Sequence, residues 1–215
     1  MPKVRNSSSR TLPKKMHIYC EGAKTEPNYL NGYISDIEDK ALRHVVIVEK
    51  TRKNTPIELV EVAINHKKSS AAAKGDEFWV VYDRESVAKY TDELHDKAYK
   101  RAKDNGINIA LSNVCFEHWL LLHLTNSSAP YNCYNDLINR SCLKSKFRQN
   151  LGKDYDKAGS EVYDFLSKYI GKARTLACNM NLAATQSSQL GRDKPHHLNP
   201  YTDMPKLLDA IDSFI

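Results

Sequence analysis

Two carboxylates that follow an apolar run are the residues of this 215-residue chain best suited to chemistry. Asp83 and Glu85 come directly after Phe78–Tyr82, a run typical of a strand buried on both faces. Open α/β sheets bind ligands beyond the carboxyl ends of their strands, and residues two apart in extended backbone share a face. Two carboxylates on one face favour Mg²⁺. The alternative is an acidic turn that merely faces solvent.

A third carboxylate follows another short strand candidate. Met16–Cys20 is apolar, and Glu21 and Gly22 come directly after it. If the first and third strands are neighbours in a parallel sheet, Glu21 faces Asp83 and Glu85 across one cleft. Three carboxylates there would repel one another without a cation. This arrangement resembles the Toprim domain of nucleases, topoisomerases and primases.

Composition limits the classes of function. The formal net charge is +6, which permits a polyanionic partner without requiring one. No apolar run approaches the roughly 20 residues that span a bilayer, so no membrane partner is expected. The five cysteines show no metal-ligand spacing and indicate reduced thiols in a cytoplasmic protein. Residues 1–15 are basic and polar and predict a disordered tail.

The order of the predicted elements is that of a parallel sheet. Four apolar runs alternate with helical patterns, namely Met16–Cys20, Val45–Val48, Phe78–Tyr82 and Ile107–Leu111. This order predicts an α/β fold with a mainly parallel four-stranded core sheet. We expect a Toprim-like core over residues 16–125 and a helical extension, packed on it, over residues 126–215.

Basic residues follow the first two predicted strands, on the same side as the acids. Lys24 precedes a helix that Thr25 is expected to cap, where a phosphate would meet the helix N-terminus. Lys50, Arg52 and Lys53 lie in the loop after the second strand. A basic loop beside a metal-type acid cluster suits a phosphodiester substrate. A solvated loop is the alternative.

An apolar helix is predicted over Val114–Leu124. Glu117 and His118 lie in its first turn, close to the strand ends. A charged residue in such a helix is usually paired or functional, so Glu117 is a candidate catalytic residue. His123 is better explained as a hydrogen-bonded core histidine than as a metal ligand.

Several stretches together resemble the RloB-like family of bacteria, and the resemblance spans about residues 16 to 214. The stretches are Cys20–Tyr29, Tyr82–Glu85, Ser112–His123 and Asn199–Thr202. Two positions depart from the family pattern. Val114 stands where the family commonly has proline, and Glu85 stands where it commonly has aspartate.

The resemblance implies a Toprim-type domain that cleaves nucleic acid in anti-phage defence, often beside an ABC-type or AAA-type ATPase. It implies that Glu21 is a general acid/base or metal carboxylate, and that Asp83 and Glu85 hold Mg²⁺ or Mn²⁺. A non-catalytic sensor or adaptor subunit is the second reading. A primase or topoisomerase would need additional domains for which the chain is too short. The choice between RNA and DNA and the oligomeric state stay open.

Overall fold

A five-stranded sheet of order β2-β1-β3-β4-β5 forms the centre of the computed structural model, which describes residues 13–214. The strands are β1 Met16–Cys20, β2 Val46–Glu49, β3 Glu77–Asp83, β4 Asn108–Asn113 and β5 Tyr201–Thr202. The first four strands run parallel and β5 runs antiparallel to β4. The predicted α/β class is therefore confirmed, and the prediction of a four-stranded sheet was short by one strand.

Helices connect and flank these strands. Those before residue 125 are α1 Thr25–Asp36, α2 Lys40–Val45, α3 Pro56–Lys68, α4 Asp92–Asn105 and α5 Phe116–Leu124. Those after it are α6 Tyr134–Arg140, α7 Leu143–Leu151, α8 Glu161–Leu166, α9 Ile170–Gln186 and α10 Met204–Asp212. None of the helices described between residues 13 and 214 is both long and apolar enough to cross a membrane.

Local sequence signals explain where several of these helices begin and end. Thr55 caps α3, because its hydroxyl oxygen accepts the backbone N–H of Glu58 at 3.4 Å and its hydroxyl donates to the Glu58 carboxylate at 2.9 Å. Pro56 follows at the first helical position, where no N–H is needed. Helix α4 ends at Gly106, whose φ of +61° is the left-handed conformation that favours glycine.

Alternating side chains of the strands divide the core between two faces of the sheet. On one face, Tyr19 and Val80 pack with Leu59 of α3 and Ala98 of α4. On the other face, apolar residues of the strands pack with those of α1, α5, α9 and α10, including Ile18, Leu30, Trp119, Ala177 and Leu208. Full burial of each large apolar side chain contributes about 1.5–3 kcal/mol to the stability of the fold. Helices thus cover both faces of the sheet and support the strands whose ends carry the loops.

The chain beyond residue 125 supplies part of the sheet as well as helices. Thr202 of β5 pairs with Ser112 of β4, and the N–H of Asp203 donates to the carbonyl of Leu111 at 2.8 Å. The predicted helical extension, residues 126–215, thus also contributes a strand. The predicted basic tail, residues 1–15, lies outside the described residues as far as residue 12.

Candidate functional site

An open cleft of about 370 Å³ at the carboxyl edge of the sheet is lined by five carboxylates. Glu21 follows β1, Asp83 ends β3, and Glu85 comes two residues later. Glu117 reaches the cleft from the first turn of α5. These are the four acids predicted as candidate site residues. The fifth, Glu26 in the first turn of α1, was not among the predicted site residues.

The pairing of β1 with β3 brings Glu21 and Asp83 together. The two strands are in register, with Cys20 opposite Val81. The N–H of Glu21 donates to the carbonyl of Val81 at 2.9 Å. In return, Oε2 of Glu21 accepts the N–H of Asp83 at 3.0 Å. The Glu21 carboxylate thus crosses from one strand end to the next.

Glu85 reaches the cleft by a turn of the backbone rather than by continuing the strand. Its φ is +57°, so the chain leaves the extended conformation after Asp83. The predicted extended backbone from Asp83 to Glu85 is therefore wrong, although both side chains line the cleft. Lys89 lies 2.8 Å from Oε1 of Glu85 and 3.9 Å from Oε1 of Glu21. One ammonium group thus neutralises part of the charge of both acids.

Glu26 is buried against Gly22. A Cβ atom added to Gly22 would lie 2.0 Å from Oε2 of Glu26, so a side chain at position 22 and this carboxylate exclude each other. Gly22 therefore leaves the space that the Glu26 carboxylate occupies.

The prediction that Thr25 caps α1 is wrong. The Thr25 hydroxyl instead donates to the carbonyl of Lys157 at 2.9 Å, and Lys24 takes the cap position without a side-chain hydrogen bond.

Glu117 is the most buried of the five acids, with 1 % of its surface exposed. Its Oε1 accepts the hydroxyl of Tyr155 at 3.0 Å and lies 3.3 Å from Nζ of Lys157. Its Oε2 is buried and has no hydrogen-bond partner among residues 13–214. A buried carboxylate oxygen without a partner is costly, and a cation in the cleft would relieve that cost.

The two histidines of α5 serve the core rather than the cleft. Nε2 of His118 donates to the carbonyl of Ser127 at 3.2 Å. Nδ1 of His123 donates to the carbonyl of Trp119 at 2.9 Å, and the Tyr29 hydroxyl bonds Nε2 at 3.0 Å. Burial lowers the pKa of each histidine to about 4, so both imidazoles are neutral at physiological pH.

Burial and mutual repulsion make the acids hold protons more tightly. Burial raises the pKa of Glu21 to about 7, against the lowering effects of the Asp83 N–H and Lys89. Burial, followed by the charges of Glu26 and Glu117, raises the pKa of Asp83 well above its usual range. The pKa of Glu26 is raised by burial and by Glu117. The cleft therefore favours an added positive charge.

The donors of the cleft fit a hard divalent cation. Mg²⁺ and Mn²⁺ prefer carboxylate oxygens, and the cleft offers five such groups, one with a buried free oxygen. Among residues 13–214, two groups of three side chains bring possible metal-ligand atoms within 4.8 Å of one another, and neither group contains an acid of the cleft. Rotation of the acid side chains is needed for several of them to share one ion.

The predicted basic residues divide between the cleft and its surroundings. Lys24 lines the cleft. The loop after β2 exposes its three basic side chains, and none of them lines the cleft: Lys50, Arg52 and Lys53. Asn54, at the end of this loop, does line it, and its carbonyl accepts the hydroxyl of Tyr90 at 3.0 Å. The basic loop therefore adjoins the acids through Asn54.

Two charged residues of the cleft, Glu26 and Lys157, were not predicted from the sequence. Glu26 lies in the first turn of α1, and a helix that follows a strand begins at the same edge of the sheet as the acids. Lys157 comes from the segment between α7 and α8, where neither periodicity nor a motif marks it. The sequence therefore contains a signal that places Glu26 at the cleft and none that places Lys157 there.

Comparison with known families gives one match. The model of the family described as RloB-like protein matches residues 16–211, a range that contains every acid of the cleft. The comparison with curated proteins and the comparison with solved structures each found no match.

Proposed function

The chain belongs to the RloB-like family, and on this premise we propose that it is a Mg²⁺- or Mn²⁺-dependent nuclease of Toprim type. The observation that carries the proposal is the convergence of five carboxylates on one cleft at the carboxyl edge of the sheet. We further propose RNA or DNA as the substrate, anti-phage defence in the cytoplasm as the setting, and an ABC-type or AAA-type ATPase as the partner.

The acids have different parts in this proposal. Asp83 and Glu85 hold the metal ion, with Glu117 supplying its unpartnered oxygen. A bound Mg²⁺ supplies an activated water and stabilises the charge that develops on the leaving oxygen. Glu21, whose pKa lies at about 7, takes up or releases a proton at the scissile phosphate, because a group with this pKa exchanges protons readily at neutral pH.

The basic residues orient the substrate. Lys24 and the N-terminus of α1 stand at the cleft, where backbone N–H groups and a positive side chain attract phosphate. The exposed loop with Lys50, Arg52 and Lys53 binds phosphates further along the nucleic-acid strand. Contacts of this kind fix the register of a nucleic acid without reading its sequence, so the proposal predicts broad sequence tolerance.

A second function, that of a non-catalytic adaptor, is favoured by one observation. Lys157 lies 3.3 Å from Glu117, and Glu117 and Asp83 raise the pKa of Lys157 against the effect of burial. An ammonium group held beside the acids takes over part of the role of a metal ion. In that case the cleft is a stable ion-paired feature, and the surface around it binds nucleic acid or the ATPase.

The test is a cleavage assay with purified protein, with and without the neighbouring ATPase. The substrates are tRNA, single-stranded DNA and double-stranded DNA, each in Mg²⁺, in Mn²⁺ and in EDTA. We expect metal-dependent cutting of at least one substrate, its loss in Asp83→Asn and its retention in Asp193→Asn, which changes an exposed acid outside the cleft. Binding without cutting under every condition would favour the adaptor.

A further inference from the structure

A group of two histidines and one carboxylate lies on the face of the sheet that α3 covers. His17 is the second residue of β1, Glu49 is the last of β2, and His66 lies in the last turn of α3. One ring nitrogen of each histidine and one oxygen of Glu49 all lie within 4.8 Å of one another. Glu21 follows four residues after His17, or about 13 Å along an extended strand. The group is thus separate from the acidic cleft.

The surroundings of the group are apolar on one side and open on the other. The ring of His17 stacks on Phe78 with 4.9 Å between centroids, and His17 is 3 % exposed. The side chain of Glu49 is 26 % exposed, and His66 is half-buried. The Nδ1 atom of His17 lies 2.7 Å from Oε1 of Glu49. Glu49 and His66 therefore form the part of the group that faces solvent.

Each histidine also has a hydrogen-bond partner from outside the group. Nε2 of His17 lies 3.4 Å from Oδ2 of Asp76, whose side chain is 1 % exposed. Two backbone N–H groups hold that carboxylate at 2.8 Å each. The hydroxyl of Tyr19 lies 2.5 Å from Nδ1 of His66. Metal-binding histidines characteristically use their second nitrogen in this way, because the outer partner fixes the tautomer and the ring orientation.

We propose that His17, Glu49 and His66 bind one zinc-class transition-metal ion, with Asp76 orienting His17. Two imidazoles and one carboxylate suit Zn²⁺ or a neighbouring transition metal, whereas Mg²⁺ prefers oxygen ligands alone. Glu49 and Asp76 together balance the charge of a divalent ion. Bound there, the ion joins β1, β2 and α3 and fixes the strand and the helix that flank the loop of residues 50–55.

A second group with similar spacing is less suited to a cation. Asp92, His196 and His197 also lie within 4.8 Å of one another. Asp92, however, already pairs with Arg84 at 2.7 Å and with Arg192 at 3.1 Å. A divalent ion at this position would meet two guanidinium groups. The group therefore serves as an internal comparison for the proposed site.

The test is a Zn²⁺ titration of the full chain after removal of metals, in saturating Mg²⁺ so that the acidic cleft is occupied. The readouts are competition with a chromophoric chelator, the rise of Tm with Zn²⁺, and the visible spectrum after Co²⁺ substitution. We expect one ion per chain. His66→Gln and Glu49→Gln should weaken binding at least about 100-fold, and Asp76→Asn about 10–100-fold.

His44→Gln, at an exposed position of α2, and His197→Gln, in the second group, are the matched controls and should bind Zn²⁺ as the wild type does. His66 stands at a partly exposed helix end, so its variant tests the site even if His17→Gln fails to fold. Absence of stoichiometric Zn²⁺ binding by the wild type overturns the proposal. So does unchanged binding by His66→Gln and Glu49→Gln, or a loss confined to His197→Gln.

Discussion

The backbone N–H of Asp83 donates a hydrogen bond to Oε2 of Glu21 across 3.0 Å. This bond joins the ends of two neighbouring strands and holds one acid of the cleft against the backbone of the next. Because the donor is an N–H of β3, the position of Glu21 follows the register of β1 on β3. Strand pairing thus positions Glu21 beside Asp83, and the energetic consequences of crowding carboxylates in the cleft can be predicted.

The first prediction concerns the stability of the metal-free protein. The folded chain holds the Glu21 proton up to about pH 7, whereas an ordinary glutamate releases it near 4.5. At Glu21 the folded state therefore binds more protons than the unfolded state in this window, so the contribution of Glu21 to stability falls as the pH rises through it. Asp83, whose pKa is also raised, adds to the same trend. Histidines buried as neutral imidazoles, such as His118 and His123, act in the opposite direction, because their pKa is lowered to about 4. Thermal unfolding in EDTA between pH 4.5 and 8 measures the slope.

The matched variant is Glu21→Gln, which keeps an oxygen to accept the Asp83 N–H and loses the charge. We expect it to be more stable than the wild type by roughly 1–3 kcal/mol at pH 8 in EDTA, with a difference between the two proteins that grows from pH 4.5 to pH 7. Mg²⁺ should stabilise the wild type more than the variant. A difference in stability between Glu21→Gln and wild type that does not grow between pH 4.5 and 7 in EDTA would contradict the raised pKa of Glu21.

The second prediction concerns the space that Gly22 leaves for Glu26. In Gly22→Ala the new methyl group would lie 2.0 Å from Oε2 of Glu26, so this buried carboxylate must turn away. We expect weaker Mg²⁺ or Mn²⁺ binding and a loss of stability of about 1–3 kcal/mol. The control is Gly171→Ala in α9, where nothing lies within 4 Å of the added Cβ and the change should stabilise by about 0.5–1 kcal/mol. Equal metal affinity of wild type and Gly22→Ala would show that Glu26 has no part in the site.

The parts of the fold that the sequence predicted are those with a strong local pattern. The four parallel strands coincide with short, largely apolar runs, and Thr55 with Pro56 marks the start of α3. Strand β5 has two residues and no periodicity, so only its pairing with β4 defines it. The helices between residues 134 and 151 are short, and their apolar positions are too few to stand out from the polar residues around them.

The candidate site shows the same division. Residues directly after strands were found because topology alone places them at one sheet edge. The left-handed backbone of Glu85 was not predicted, since that conformation is uncommon outside glycine, asparagine and aspartate. Lys157 reaches Glu117 from 40 residues further along the chain. A contact of this kind depends on how α6–α8 pack and cannot be predicted from the local sequence.

The third prediction concerns the exposed loop after β2. Replacing Lys50, Arg52 and Lys53 together with alanine should weaken nucleic-acid binding, and should reduce the slope of log K against log salt by about 2–3. The charge-matched control replaces Lys97, Lys100 and Lys103, three exposed lysines of α4, and should leave the slope nearer that of the wild type. Binding titrations over a range of salt concentrations give the three slopes. Equal slopes for wild type and loop variant would mean that the loop only faces solvent.

The last prediction separates retention of the metal from transfer of a proton. Asp83→Asn keeps the size of the side chain and removes one charge from the proposed metal ligands, so cleavage should fall by roughly 100-fold or more through lower metal affinity. Raising Mn²⁺ should restore part of the rate, because the ion remains able to do its chemistry once it is bound. Glu21→Gln should lose a similar factor but show little rescue by Mn²⁺, since an amide neither takes up nor releases a proton as a general base or acid at neutral pH.

The two variants therefore differ in a way that a structural defect does not reproduce. Cleavage rates are measured against Mn²⁺ concentration for wild type, Asp83→Asn, Glu21→Gln and the exposed control Asp193→Asn, with melting temperatures to confirm folding. The pH profile adds a second readout, because the wild-type rate should change where Glu21 titrates, and the Glu21→Gln profile should lack that step. Wild-type rates in both variants would show that the cleft does not catalyse cleavage. The adaptor function, in which the acids and Lys157 stabilise a binding surface, would then be the better explanation.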